Sequence, residues 1–224
     1  MVSLKWKREK LKFGEIILTW VLTQNLSLKK EMIEISTDRL VLKKTRKSDK
    51  DKELLVSRIG DWEVAKWLCN VPHPYTEDDA EAWFKTLHQK EFSLSIYLDN
   101  SLIGGIGLTQ DEDKFYEFGY WLGKTHWGKG YATEASKGLL HYATQKLSSP
   151  KIKANYMKGN VASANVLKKL GFNKVGEGKI YCVSRKEEVD CIHVALLKPI
   201  GFNKDNVIEA ADRFNKKEEI WVPN

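Results

Sequence analysis

A chain of 224 residues, 42% apolar and 30% charged, has the size and composition of a soluble globular protein with a core of its own. Its net charge of +7 does not mark a nucleic-acid groove. Of that charge, +4 lies in residues 1–31 (Lys5, Lys7, Arg8, Lys10, Lys12, Lys29 and Lys30 against Glu9, Glu15 and Glu31) and only +3 in the rest.

In chain order, the first apolar stretch, "IILTWVLT", is far shorter than the ~20 residues that cross a bilayer. Gln24 and Asn25 follow it where a secretory signal would have small residues, so no membrane role is expected. Residues 1–31 read as a peripheral extension, with Met32 the expected natural start; the rival reading is a basic amphipathic segment for a membrane surface or partner. "MIEISTDRLVLKKT" reads as one strand, with Ile33, Ile35, Leu40 and Leu42 spaced for one face. A charged helix follows over Ser48–Ile59. "PHPYTEDDAEAWFKTL" starts another, with Thr76 as N-cap, acidic residues in the first turn and an Ala80, Trp83, Phe84, Leu87 stripe. "SLSIYLDNSLIGGIGLT" predicts two strands joined by a turn at Asp99-Asn100, and "KFYEFGYWL" predicts a third. A helix is expected from Gly130 to about Leu147, then a strand at "KIKANYMK", a helix at "SANVLKKLGF" closed by Gly171, and a last strand at "EVDCIHVALL". Residues 200–224 read as an amphipathic appendage. Strands and helices in this order give an α+β fold, with one domain over 32–199.

Cys69, Cys182 and Cys191 form no C-x-x-C pair, so neither a disulfide framework nor a zinc site is supported, and a reducing, cytoplasmic setting is expected. The five histidines have no metal-ligand spacing, so no metal is expected.

The passage from strand to helix through "HWGKGYATE" raises the question of phosphate. Glycines let backbone N–H groups approach an anion, and a helix N-terminus adds unsatisfied donors and partial positive charge. The alternative is a turn and helix start with nothing bound. A Walker loop, a complete Rossmann fingerprint and the kinase H-R-D and D-F-G motifs are all missing.

Four blocks in order settle the comparison: "TDRLVLKKT", "PHPYTEDDAEAWF", "EFGYWLGKTHWGKGYATEA" and "NVASANVLKKLGF". Together they resemble the GNAT acyltransferase superfamily over about residues 33–198, and within it the RimJ/RimL-type ribosomal-protein N-terminal acetyltransferases. The resemblance implies a three-layer α/β/α fold. Its mixed, mostly antiparallel sheet would have a splayed parallel pair of strands at 114–122 and 151–158 and helices on both faces. It implies acetyl-CoA as cosubstrate, its pyrophosphate on the amides of Gly128, Lys129, Gly130, Tyr131, Ala132 and Thr133. The pantetheine arm would meet the backbone of Leu122 and Gly123, and Asn160 matches the family Asn beside that arm. Lys129 read as a solvated side chain, and Asn160 read as a helix cap, remain open. Trp127 stands where the superfamily loop usually has Gln or Arg, and packing against the helix is expected of it.

Acetyl transfer needs a neutral amine, an oxyanion donor and a proton for the departing thiolate. The general-acid Tyr of many relatives falls on Leu167, and a strand Glu of some falls on Asn155, so the superfamily mechanism does not transfer directly. Two candidates remain. Glu117 is either a base acting through water or a rim carboxylate attracting a cationic acceptor. Ser163 either bonds the thiolate or caps its helix. Tyr120 reads as core. The acceptor is expected on the variable loops near 59–75 and 178–188. It is the α-amine of a protein, a ribosomal protein among the candidates, or a small amine such as an amino acid, polyamine or antibiotic. A catalytically silent acyl-CoA-binding module is the reading from another class, and a monomer and a homodimer both fit.

Overall fold

The computed structural model describes residues 33–87, 91–148 and 150–196. The readings for residues 1–31 and 200–224 lie outside the described residues.

"MIEISTDRLVLKKT" forms two strands and not one. β1 (Glu34–Ser36) and β2 (Val41–Lys43) pair antiparallel because Thr37 closes a turn, its N–H donating to the Leu40 carbonyl and its Oγ1 accepting from Leu40 N–H. Ser48 caps α1 (Asp49–Ile59) by accepting from Asp51 N–H, and a short α2 (Trp62–Ala65) follows. α3 (Glu77–Thr86) starts on a reciprocal capping box between Thr76 and Asp79. β3 (Phe92–Leu98) and β4 (Ser101–Gln110) are joined through Asp99 and Asn100 at φ 47° and 62°. Those are the left-handed values a two-residue hairpin needs and Asp and Asn tolerate. Then come β5 (Phe115–Leu122), α4 (Tyr131–Lys146), β6 (Lys151–Met157), α5 (Val161–Lys169), β7 (Phe172–Cys182) and β8 (Glu187–Leu196). The spacing of polar and apolar residues did not predict β7.

The eight strands run β1-β2-β3-β4-β5-β6-β8-β7, all antiparallel except β5 with β6. On one face, Leu42, Leu94, Ile106, Leu108 and Phe118 bury against Ala135, Leu139 and Ala143 of α4 and Leu167 of α5. On the other, Leu55 and Ile59 of α1 and Ala80 and Phe84 of α3 form a second cluster against Trp121. Phe118 and Trp121 fall on opposite faces because strand side chains alternate. Each fully buried Leu or Ile stabilises the fold by about 1.5 to 3 kcal/mol.

The parallel ladder is short. It pairs Phe115 with Lys151, Tyr116 with Ile152 and Glu117 with Lys153, and ends there. β5 runs five residues further and remains fully paired to β4. β6 continues to Met157, paired to β8. The two strands part after Glu117, leaving the β6-facing edge of β5 unpaired from Phe118 to Leu122.

Candidate active site at the split between β5 and β6

Along β5 the backbone groups alternate between two sides. Gly123 N–H donates to the Ile103 carbonyl of β4 at 2.9 Å, and its own carbonyl accepts from His126 N–H. By alternation Leu122, Tyr120 and Phe118 direct their N–H and C=O groups into the split. The Leu122 carbonyl is taken by the Trp127 indole N–H at 2.8 Å, so Leu122 offers its N–H. Of the two backbone contacts expected for a pantetheine arm, Leu122 has a group facing the split, whereas both groups of Gly123 are engaged elsewhere. Trp127, expected to pack on the helix, ties the loop to the end of β5.

The loop after β5 turns once through Lys124–His126 and reaches Gly128 (φ 73°) and Gly130 (φ 82°). Gly130 is the N-cap of α4 and has no side chain to satisfy the first turn. A left-handed backbone here costs any residue with a Cβ about 1 to 2 kcal/mol, which is why glycine stands at the cap. Among the described residues, no backbone carbonyl takes the amides of Gly128, Lys129, Gly130, Tyr131, Ala132 or Thr133. An amide-lined helix start of this kind suits an anion.

The β1–β2 turn holds this helix start. Glu134, in the first turn of α4, accepts from Thr37 Oγ1 at 2.6 Å and from Arg39 N–H at 2.8 Å on one oxygen. Its other oxygen takes Arg39 Nε at 2.7 Å and Nη2 at 2.6 Å. Arg39 Nη1 also donates to the Lys129 carbonyl at 3.1 Å, and the guanidinium lies 4.5 Å over the Tyr131 ring. Burial pushes the Glu134 carboxyl up, but the bonds from Thr37 and Arg39 outweigh it and hold the group below its ordinary value. Burial, with Arg58 and Lys129 nearby, holds the His126 imidazole down and so uncharged at neutral pH. Arg58 and Lys129 therefore lie near the loop, and Arg39 is ion-paired with Glu134.

The opposite face of β5 carries the carboxylate. Glu117 is exposed and accepts from Asn155 Nδ2 of β6 at 2.9 Å, two residues past Lys153, its partner in the last rung of the parallel ladder. Two residues on, Gly119 leaves open space, since a Cβ there would meet nothing within 4 Å. Cys69 faces the same region, its thiol pushed up to about 12, first by burial and further by neighbouring charges including Glu117. A thiol that stays protonated is a poor nucleophile. His193, beside Asn155 in the ladder, is held down by burial and Lys153.

Ser163 is not the cap of α5. Asn160 is, its side chain accepting from Ser163 N–H at 3.0 Å. Ser163 Oγ instead accepts from the Tyr120 hydroxyl at 3.4 Å. Leu167 is buried in the core. The two loops expected to meet an acceptor are bonded to each other: Val183 N–H donates to the Cys69 carbonyl and Ser184 Oγ to the Ala65 carbonyl, both at 2.9 Å. Among the described residues no group of three or more His, Cys, Asp or Glu could hold a metal ion, and no helix is long and apolar enough to cross a membrane.

The family model for the acetyltransferase (GNAT) domain matches residues 39–173. The chain belongs to the GNAT family. It is an acyltransferase of the N-acetyltransferase class, and acetyl-CoA is the cosubstrate of that family. An uncharacterized N-acetyltransferase, p20, of Bacillus licheniformis is 30% identical over 75% of this chain and 97% of its own length. The crystal structure of a GNAT-family acetyltransferase from Bacillus anthracis superposes with a TM-score of 0.63, at 26% identity, over 73% of this chain and 97% of that one. The [ribosomal protein uS5]-alanine N-acetyltransferase of Escherichia coli is 35% identical over a shorter stretch, 36% of this chain and 42% of the enzyme.

The spacing of residues in the sequence does not bring out two contacts at this candidate site. Arg39 lies within "TDRLVLKKT", and nothing in that stretch reveals that its guanidinium reaches a helix start 90 residues away. Tyr120 was read as core. Its ring does pack against the core cluster, but its hydroxyl reaches Ser163.

Proposed function

We propose that this GNAT enzyme acetylates the N-terminal α-amine of a protein, a ribosomal protein being the leading acceptor, in a cytoplasmic setting. One observation carries the reading: Glu117, held by Asn155 beside the open Gly119, stands where β5 and β6 part. An α-amine has a pKa near 8 and is partly neutral at pH 7, so an exposed carboxylate acting through water suffices to take its proton. A lysine amine, near 10.4, demands far more of its base. The likeness to the uS5-alanine N-acetyltransferase supports a protein N-terminus as acceptor, and three free cysteines support a reducing compartment.

In this reading the amides of Gly128 to Thr133, with Lys129 and Arg39, hold the pyrophosphate. The N–H of Leu122 meets the pantetheine arm and Asn160 fixes the helix start beside it. Glu117 receives the amine proton and Ser163 bonds the departing sulfur.

The test is purified protein with acetyl-CoA and a panel of N-terminal peptides, the same peptides with blocked α-amines, and small amines, followed by thiol release. Turnover confined to free α-amines of peptides is expected. Turnover with small amines alone redirects the acceptor assignment, and acetyl-CoA binding without turnover on any amine points to the silent module.

A further inference from the structure

Breaking a thioester leaves negative charge on sulfur, and a thiol with pKa near 8.5 departs most easily as it gains a proton. Ser163 presents a hydroxyl on the first turn of α5, its backbone fixed by the Asn160 cap. An alcohol gives up its proton poorly unless a stronger acid replaces it at once. Such an acid stands behind it: the Tyr120 hydroxyl donates to Ser163 Oγ at 3.4 Å, and the ring is held against Phe118 at 5.9 Å. The backbone of Tyr120 faces the split between β5 and β6, while its side chain lies on the α5 side of the sheet. Leu167, further along α5, is core and has no proton to give.

We propose that Tyr120 is the positioning residue and proton supply of Ser163 in the acetyl transfer. This rests on the transfer reaction proposed above. The amine nitrogen bonds the acetyl carbon and the carbon–sulfur bond breaks, its electron pair staying on sulfur. Ser163 O–H gives its proton to that sulfur and Tyr120 O–H refills the serine oxygen. The tyrosinate regains a proton from water, and the amine proton leaves through Glu117 to water. Burial raises the Tyr120 hydroxyl above its ordinary value, and only the bond to Ser163 opposes this, so the proton is present at neutral pH.

Tyr120→Phe keeps the ring and removes the proton. Its kcat with acetyl-CoA should fall about 10²-fold while acetyl-CoA affinity stays within about twofold. Ser163→Ala should fall equally, and the double variant no further than either single one, because the two act as a unit. Acetyl-seleno-CoA supplies the discriminating readout. Selenols are stronger acids than thiols, so the selenolate leaves without a proton and both variants should come within about threefold of the parent. Should Tyr120→Phe fail to fold, 3-fluorotyrosine at position 120 keeps the shape and moves the alkaline fall in kcat to lower pH. A Tyr120→Phe deficit equal with both donors, an unchanged kcat, or an unmoved alkaline limb overturns the relay alone. A parent that binds acetyl-CoA and acetylates no amine overturns the transfer reading and the relay with it.

Discussion

The two sides of β5 are built differently. On the side of the glycine loop, the recognition proposed above rests on backbone: the loop amides and the strand edge, held in place by the contacts among Thr37, Arg39 and Glu134 and by the Trp127 indole. On the side of Glu117, the proposed acceptor recognition rests on single side chains, an exposed carboxylate with one amide partner and an open glycine position. Backbone amides suit a ligand that never changes, because substitution cannot alter them except through conformation. Side chains on a strand rim, with loops above them, suit an acceptor that differs from one relative to the next.

Substitutions on either side should therefore separate binding from turnover. The largest effect is expected at the helix start. Gly130→Val forces a β-branched residue to φ 82° and sets its Cβ 3.4 Å from the Arg39 guanidinium. Calorimetry should show acetyl-CoA binding lost, with the far-ultraviolet spectrum of the fold retained; tight binding by this variant would remove the loop from the donor site. Next, Glu117→Gln should lower turnover by about 10² to 10³-fold with acetyl-CoA affinity unchanged. If the carboxylate only attracts a cationic acceptor, the same change raises KM, leaves kcat intact and weakens with salt, so both constants at two ionic strengths decide.

Smaller effects are expected from the clamp. Arg39→Ala should weaken acetyl-CoA about tenfold, roughly 1.4 kcal/mol, with an unchanged kcat at saturation; a kcat loss with full affinity would contradict the division between the two sides. The smallest is a pH effect. The Glu134 carboxyl lies below its ordinary value in the folded state, so its contribution is complete above the unfolded value of about 4.3. That contribution is lost as pH falls through the folded value. Urea midpoints at pH 7, 5, 4 and 3 should fall less steeply for Glu134→Gln than for the parent, and parallel curves would exclude the group from the acid transition.

The sequence carried the glycine loop, the Thr76 cap, the Asp99-Asn100 turn and both strands of the parallel pair, because each is encoded by residues close together. The first strand was read as one because Ile33, Ile35, Leu40 and Leu42 keep the spacing of a single face across the Thr37 turn. β7 escaped because "FNKVGEGKIYC" is an edge strand, rich in charge, with two glycines and a register shift between Lys174 and Gly176. The site contacts escaped for a different reason. Arg39 to Glu134, Glu117 to Asn155 and Tyr120 to Ser163 lie 95, 38 and 43 residues apart. Such pairs exist only once strand register and helix position are fixed. Asn155 shows the cost most plainly: on its own it reads as a position without a carboxylate, yet its side chain donates to Glu117 on the neighbouring strand.

The bonds from Val183 and Ser184 to the carbonyls of Cys69 and Ala65 bear on how this scaffold can be re-engineered. Residues 59–75 and the β7–β8 turn form one transplantable cassette, not two. A graft that replaces only the first segment must again place a carbonyl within reach of the buried Ser184 hydroxyl, or leave it only the weak Cys182 thiol contact. A graft of both segments together carries its own hydrogen bonds with it. If these segments meet the acceptor, as proposed, changing that acceptor without loosening the fold is a matter of moving two distant stretches of sequence at once.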